Sequence, residues 1–162
     1  FQNFALFDFM TVGENVAFPL EQAGEHTALK IQEKVSQRLV EVGLPGIEHL
    51  YPRELSGGMK KRVSLARATI AGANILLYDD PSAGLDPVTS SKIFALIQRL
   101  HTPNSVSVMV SHDVDRMVRV CDEWLVLHQG RIWFMGDVEA VRASTDPVVA
   151  TLFDTHPKEA VS

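Results

Sequence analysis

The sequence predicts an α/β fold in which a parallel sheet follows an α-helical subdomain. Two short apolar runs, Ile75–Asp79 and Val106–Val110, are typical of buried parallel strands. Between them, residues 88–100 carry apolar side chains at helical spacing, which completes a strand–helix–strand unit. Two amphipathic helical patterns precede the first strand, and they predict the helical subdomain.

The other elements follow from the spacing of apolar residues and from turn residues. Residues 28–42 form an amphipathic pattern that stops at a glycine, and residues 55–71 form a second one. We therefore assign residues 1–71 to the helical subdomain and residues 72–162 to the α/β core. After the second strand, the expected elements are a short helix at 115–120, a hairpin with strands 124–127 and 132–135, and a helical tail.

Composition excludes several classes of protein. The net charge of −5 argues against a general nucleic-acid binder, because affinity for phosphate backbones requires a clustered cationic surface. A single cysteine, Cys121, excludes an intrachain disulfide and a cysteine metal cluster, and we expect it to pack in the interior. No apolar run approaches the roughly 20 residues that cross a bilayer, so we expect a soluble or peripheral protein.

A helix start with two glycines is the first candidate site. Ser56, Gly57 and Gly58 lie where the second helical pattern begins. Backbone N–H groups at such a helix end, together with the helix dipole, favour an anion such as a terminal phosphate. Taken alone, the same three residues also fit an ordinary helix cap.

Acidic residues at the end of the first strand form the second candidate site. Asp79 and Asp80 follow a buried run, at the sheet edge where ligands of open α/β sheets bind. One carboxylate there can hold Mg²⁺ and its neighbour can polarise a water molecule, although solvated loop acids are the alternative. His112 follows the second strand, where an imidazole can sense a phosphate or simply donate a structural hydrogen bond.

In their order and spacing, these segments resemble the ATP-binding-cassette (ABC) family, whose fold is P-loop NTPase-like. The four matching segments are the signature loop 55–58, the second nucleotide motif 75–80, the D-loop 82–86 and the switch histidine His112. Gln2 matches the glutamine of the family's Q-loop. The resemblance covers essentially the whole chain.

The resemblance implies an ATPase that uses ATP and Mg²⁺. By that resemblance, the residues that contact the nucleotide are Ser56, Gly57, Gly58, Gln2 and Asp86. Asp79 and Gln2 would serve the Mg²⁺ site, while Asp80 and His112 would be catalytic. Two such subunits would pair head to tail, each closing its signature loop over the ATP held by the other. A transmembrane permease would be the further partner, at the cytoplasmic face of the inner membrane.

The sequence departs from the family pattern in two respects. It contains no P-loop of the form Gly-x-x-x-x-Gly-Lys-[Ser/Thr] and begins without Met, so we expect an interior piece of a longer protein that is inactive by itself. Asp80 also stands where the family usually has Glu. Its side chain is one methylene shorter, which retracts the carboxylate by about 1.5 Å. We therefore expect slow hydrolysis at this site.

Within the family, the sequence looks most like the ATPases of Mla-type and mammalian-cell-entry-associated phospholipid transporters. That similarity rests on Met59 after the signature loop and on residues 1–20. The alternatives are an amino-acid import ATPase, a non-transport ABC protein and an inactive regulatory subunit. Five phenylalanines near the start would form either a permease-docking patch or part of the core, and they are Phe1, Phe4, Phe7, Phe9 and Phe18.

Overall fold

A computed structural model describes residues 4–24 and 27–154 of the chain. Gln2 and Phe1, which the sequence assigns to the Q-loop and to the aromatic patch, lie outside the described residues. The chain forms two compact units, which comprise residues 1–110 and 111–162. This division differs from the boundary expected between residues 71 and 72, which separates functional subdomains and stays a prediction.

The first unit contains four α-helices and two strands within the described residues. In chain order they are α1 (Val12–Ala23), α2 (Ala28–Glu41), α3 (Gly57–Thr69), β1 (Ile75–Asp79), α4 (Pro87–Leu100) and β2 (Val106–Val110). A short 3₁₀ turn, Pro52–Glu54, precedes α3. Apolar side chains from the helices and from β1 form one continuous core.

Helix α1 was not predicted by the spacing argument. Pro19 lies inside it, and an internal proline costs a helix about 3 kcal/mol. Burial of Val12, Val16 and Leu20 in the core offsets that cost. The sequence does indicate where this helix starts, because Thr11 and Glu14 form a capping box. The Glu14 N–H donates to Thr11 Oγ1 at 3.2 Å, and the Thr11 N–H donates to Glu14 Oε2 at 2.7 Å.

Strands β1 and β2 pair in parallel, as predicted, with Ile75 opposite Val106 and Asp79 opposite Val110. The prediction that both strands are buried is wrong for one face of this sheet. Leu76 and Tyr78 of β1 pack into the core, whereas Leu77 and its neighbours on the opposite face are exposed. A continuous apolar run cannot distinguish burial on two faces from burial on one.

The second unit is built on an antiparallel hairpin of β3 (Glu123–His128) and β4 (Arg131–Asp137). Its turn, Gln129-Gly130, has positive φ at both residues, as type I′ hairpin turns require, which confirms the predicted turn. Up to residue 154, where the described part of this unit ends, three short helices accompany the hairpin, and they are α5 (Val114–Met117), α6 (Val138–Ala143) and α7 (Pro147–Asp154). Their core surrounds Trp124 and includes the half-buried Cys121, in agreement with the packing role expected for this thiol.

Across both described ranges of the chain, every helix is too short or too polar to cross a lipid bilayer.

Candidate functional site

The signature loop forms the N-terminus of α3. Ser56 has extended backbone angles and caps the helix, because its Oγ accepts the N–H of Met59 at 3.3 Å. Helix geometry leaves the N–H groups of Gly57 and Gly58 without intrahelical acceptors, at the positive end of the helix dipole. Ser56 and Gly57 are exposed. The loop therefore presents donors and partial positive charge at the surface, where an anion from another molecule can reach them.

The two glycines have different surroundings. A methyl group at Gly58 would lie 3.0 Å from Cγ2 of Thr89, so this position needs glycine for α3 to approach α4 closely. A methyl group at Gly57 would lie 4.0 Å from Leu85 and from Phe4, which is ordinary contact distance. Packing within the chain thus explains why position 58 is a glycine, whereas a larger residue would fit at position 57.

The two acids lie at the carboxyl end of β1. Asp79 is the last residue of the strand and is exposed, whereas Asp80 is half-buried. Asp80 has a φ of 43°, in the left-handed region that aspartate tolerates better than most residues. Its N–H donates to Val110 O at 2.7 Å and its carbonyl accepts the N–H of Ala83 at 3.1 Å. These bonds fix the backbone from which the Asp80 carboxylate projects.

Lys61 of α3 reaches the same turn and was missed by the sequence argument. Its side chain is only 6% exposed, and Nζ donates a long hydrogen bond of 3.4 Å to the Asp80 carbonyl. Burial lowers the pKa of Lys61, and the negative charges of Asp80 and Asp79 oppose that shift. No spacing in the sequence indicates this contact, because Asp80 lies nineteen positions after Lys61.

Asp86 of the D-loop caps helix α4. Its Oδ1 accepts the N–H of Val88 at 3.0 Å and that of Thr89 at 2.9 Å, while Pro87 occupies the first helical position. Hydrogen bonds from Thr89 hold the pKa of Asp86 below its ordinary value, and the bond from the Thr89 side chain has a larger effect than the bond from its backbone. The structure therefore gives Asp86 a structural role, and its contact with nucleotide stays a prediction.

His112 belongs to the second unit and is exposed. It lies between Ser111 and Asp113, whose N–H donates to Ser111 Oγ at 3.1 Å, and it follows β2 by two residues. Its role as the switch histidine stays a prediction, as does the role of Gln2.

Asn15 of α1 organises the segment 7–11. It is fully buried, its Oδ1 accepts the N–H of Phe7 at 2.8 Å, and its Nδ2 lies 3.0 to 3.1 Å from the carbonyls of Phe7, Met10 and Thr11. A single asparagine inside an apolar helix face could have indicated this role, because a buried amide requires partners.

Arg67 of α3 contacts the start of that segment and a residue just before it. Its Nη1 donates to the carbonyl of Ala5 at 2.6 Å, and its guanidinium lies 4.2 Å from the centre of the Phe7 ring. Ser64 Oγ also donates to the carbonyl of Phe4. Helix α3 therefore anchors Phe4, Ala5 and Phe7.

Within the first unit, three of the predicted segments lie close to helix α3. The start of α3 carries the signature loop, in which Gly57 lies near Leu85 of the D-loop and Gly58 lies near Thr89 of α4. One turn later, Lys61 reaches the turn at Asp80. The signature loop, the D-loop and the acidic turn are thus linked through the first two turns of α3.

Comparison with known proteins identifies one matching family and several similar proteins. The sequence profile of the family described as ABC transporter matches residues 1–83. The protein TRIGALACTOSYLDIACYLGLYCEROL 3, chloroplastic, of Arabidopsis thaliana is 39% identical over 166 residues, covering 92% of this chain and 48% of that protein. The intermembrane phospholipid transport system ATP-binding protein MlaF of Escherichia coli is 37% identical over 155 residues, covering 95% and 58%.

Similarity also extends to a different transport system. The methionine import ATP-binding protein MetN of Haemophilus influenzae is 37% identical over 154 residues, covering 94% of this chain and 44% of that protein. The chain spans about half the length of the curated relatives it matches.

The solved structures that share the fold include two of the cassette MJ0796. The dimeric post-hydrolysis state of the ATP-binding cassette MJ0796 bound to ADP and Pi superimposes with a TM-score of 0.74 and 27% identity, covering 85% of this chain and 61% of that chain. The dimeric structure of MJ0796 described as a bacterial ABC transporter cassette gives a TM-score of 0.74 and 28% identity over the same shares.

Proposed function

Because the chain belongs to the ABC transporter family and has the fold of its ATP-binding domain, we propose that it is part of an ATP-hydrolysing transport subunit. The observation that carries this proposal is the Ser56-Gly57-Gly58 start of α3, where Ser56 and Gly57 are exposed. This helix start lies beside the D-loop and one turn from a cation that contacts the acidic turn. Such a helix end binds the terminal phosphates of a nucleotide through backbone N–H groups.

The acidic pair fits Mg²⁺ bound together with ATP. Among the residues described here, no three His, Cys, Asp or Glu side chains cluster tightly enough to hold a metal ion by themselves. In nucleotide sites Mg²⁺ is held by one or two carboxylates together with phosphate oxygens and water, so an exposed Asp79 suffices. We propose that Asp79 holds Mg²⁺ and that Asp80 accepts a hydrogen bond from the attacking water. Bound Mg²⁺·ATP would supply the phosphoryl group and charge neutralisation.

We propose that the signature loop acts on the nucleotide of a second subunit. Ser56 and Gly57 face solvent, where they are accessible to a partner molecule. The solved cassette with the same fold is described as dimeric, and one of its structures holds ADP and Pi. In a head-to-tail pair, the signature loop would complete the partner's site, while Asp79 and Asp80 would serve the subunit's own site. ATP would then stabilise the dimer by binding both subunits.

We propose a permease as the further partner, with the chain bound peripherally at the cytoplasmic face of the membrane. A groove of about 850 Å³ between α1 and α2 is lined by apolar and acidic side chains, which include Ala17, Ile31, Val35, Glu14, Glu21 and Glu48. Such a groove fits an amphipathic helix. Phe18 of α1 and Phe7 stack edge to face with their centroids 5.0 Å apart, and the exposed Phe9 extends this cluster. Phe4 instead packs against Lys60 and Lys61.

For the transported molecule, we propose a phospholipid or another hydrophobic compound. The similarity to MlaF supports this assignment, and the similarity to MetN supports methionine or another small polar substrate as the alternative. Neighbouring genes discriminate between them: a lipid-binding mammalian-cell-entry protein supports the first, and a periplasmic amino-acid-binding protein supports the second. A non-transport ABC protein and a regulatory subunit remain further alternatives, and measurable ATP turnover would argue against the latter.

Replacing Gly57 by Asp tests the proposed site. We expect ATP turnover of the full-length gene product to fall by about 10²-fold or more, because a carboxylate would repel the phosphate that these N–H groups bind. The fold should persist, since there is space at this position and an acid stabilises a helix N-terminus. Leu29→Asp is the matched control, because it adds an acid to the first turn of α2 at a side chain that is 69% exposed. Equal turnover in parent and Gly57→Asp would contradict the proposal.

A further inference from the structure

We propose that Lys61 is a positioning residue that ties the signature helix to the acidic turn after β1, so that the two move together. This inference rests on the proposed function, since it concerns the same acids and the same loop. Lys61 is a buried cation that belongs to none of the predicted motifs, and the ordinary packing of an amphipathic helix does not explain its charge.

The first step is the contact of Lys61 with the acidic turn. Lys61 Nζ donates a hydrogen bond of 3.4 Å to the carbonyl oxygen of Asp80. The same carbonyl accepts the N–H of Ala83 at 3.1 Å, so Lys61 and Ala83 share one acceptor in the turn. The ammonium therefore stabilises the left-handed conformation at Asp80, from which the catalytic carboxylate projects.

The second step is the contact of Lys61 with the segment that follows Gln2. Its Nζ lies 5.3 Å from the centre of the Phe4 ring, within the range of a cation–π interaction. Ser64, on the next turn of α3, donates to the Phe4 carbonyl. One side chain thus contacts the acidic turn, belongs to the signature helix and covers the aromatic ring next to the Q-loop.

Burial of the Lys61 ammonium group costs free energy. A lysine that is 6% exposed loses most of its hydration, and a side chain kept only for packing would be apolar at this position. Lys60 provides the contrast, because it is half-buried and its Nζ lies 5.7 Å from the same Phe4 ring. The polar contact with Asp80 is specific to Lys61 among these two neighbours.

The consequence is a short mechanical connection between two sites. Gly57 and Lys61 are four residues apart on α3, or about 6 Å along the helix axis. In the proposed dimer, Gly57 would bind the partner's phosphate, while Lys61 holds the turn that carries this subunit's own acid. Docking of the signature loop would therefore stabilise the Asp80 turn at the other nucleotide site, and loss of Lys61 would impair hydrolysis more than nucleotide binding.

The test compares Lys61→Met, Lys61→Arg and Lys60→Met in the full-length gene product. We expect Lys61→Met to lower kcat by about tenfold while KM for ATP changes by less than about threefold, because the nucleotide-binding loops are intact. Lys61→Arg should recover part of kcat, since it keeps a donor and a positive charge. Lys60→Met should behave as the parent does.

Amide hydrogen exchange of residues 78–86 gives a readout that needs no ATP. The N–H groups of Asp80 and Ala83 are hydrogen-bonded in this turn, and we expect Lys61→Met to speed their exchange by about fivefold or more. Unchanged exchange, an unchanged kcat, or the same loss in Lys60→Met would overturn the inference. If Lys61→Met does not fold, Lys61→Gln replaces it. If the parent shows no ATP turnover, the proposed function fails while the exchange comparison still decides the role of Lys61.

Discussion

Replacing Asp80 by Glu is expected to raise ATP turnover of the full-length gene product, by up to about 10²-fold. Glutamate extends the carboxylate by one methylene, about 1.5 Å, towards the water that it would polarise. The turn that carries Asp80 is held by bonds to Val110 and Ala83, so the longer side chain would gain reach without a change of backbone. Steady-state turnover at saturating ATP is the measurement.

Two variants serve as controls for that result. Asp80→Asn should be slower than the parent, because a neutral amide accepts hydrogen bonds from water less strongly than a carboxylate. Asp79→Glu lengthens the neighbouring acid and should bring no gain. Glutamate tolerates the φ of 43° at this position less well than aspartate, so the melting temperature must be followed in parallel. No gain in turnover by a variant that folds as well as the parent would show that the short acid is not limiting.

Replacing Asn15 by Asp is expected to destabilise the protein by at least about 3 kcal/mol at pH 7, although the two side chains have the same shape. The carboxylate has no N–H to donate to the carbonyls of Phe7, Met10 and Thr11, which face Nδ2 of the fully buried Asn15. Burial of an unpaired charge adds to the cost. Urea unfolding of the full-length gene product measures the free energy.

The pH dependence of that variant distinguishes this cause from a packing defect. Protonation of Asp at position 15 restores one donor and removes the charge, so the destabilisation should shrink as the pH falls. Asn104→Asp is the matched control in an exposed turn, and it should change stability by less than about 0.5 kcal/mol. A loss at position 15 as small as that of the control would contradict the proposed role of this amide.

Local patterns were sufficient to predict most of the fold. The strand–helix–strand unit follows from the contrast between two apolar runs and a helical repeat, and the hairpin follows from Gln129-Gly130, whose backbone requirement is local. The start of α3 at Gly57 was predictable because a serine followed by two glycines suits the cap of a helix.

The features that escaped prediction depend on contacts between distant segments. Helix α1 forms despite Pro19 because its apolar face is buried by the rest of the first unit. The roles of Asn15 and Lys61 follow from backbone carbonyls that approach them only in the folded chain. Lys61 lies nineteen positions before Asp80, and no spacing rule brings the two together. The exposed face of β1 and β2 likewise depends on what packs on the sheet, which composition does not determine.

Mixing two impaired variants tests most directly whether the signature loop of one subunit completes the nucleotide site of another. Gly57→Asp damages the signature loop, and Asp80→Asn damages the acid. In a head-to-tail dimer, a mixed pair contains one site with an intact acid and an intact signature loop. Random pairing of equal amounts should therefore restore about a quarter of the parent's ATP turnover. A mixture no more active than the two variants measured separately would contradict the account.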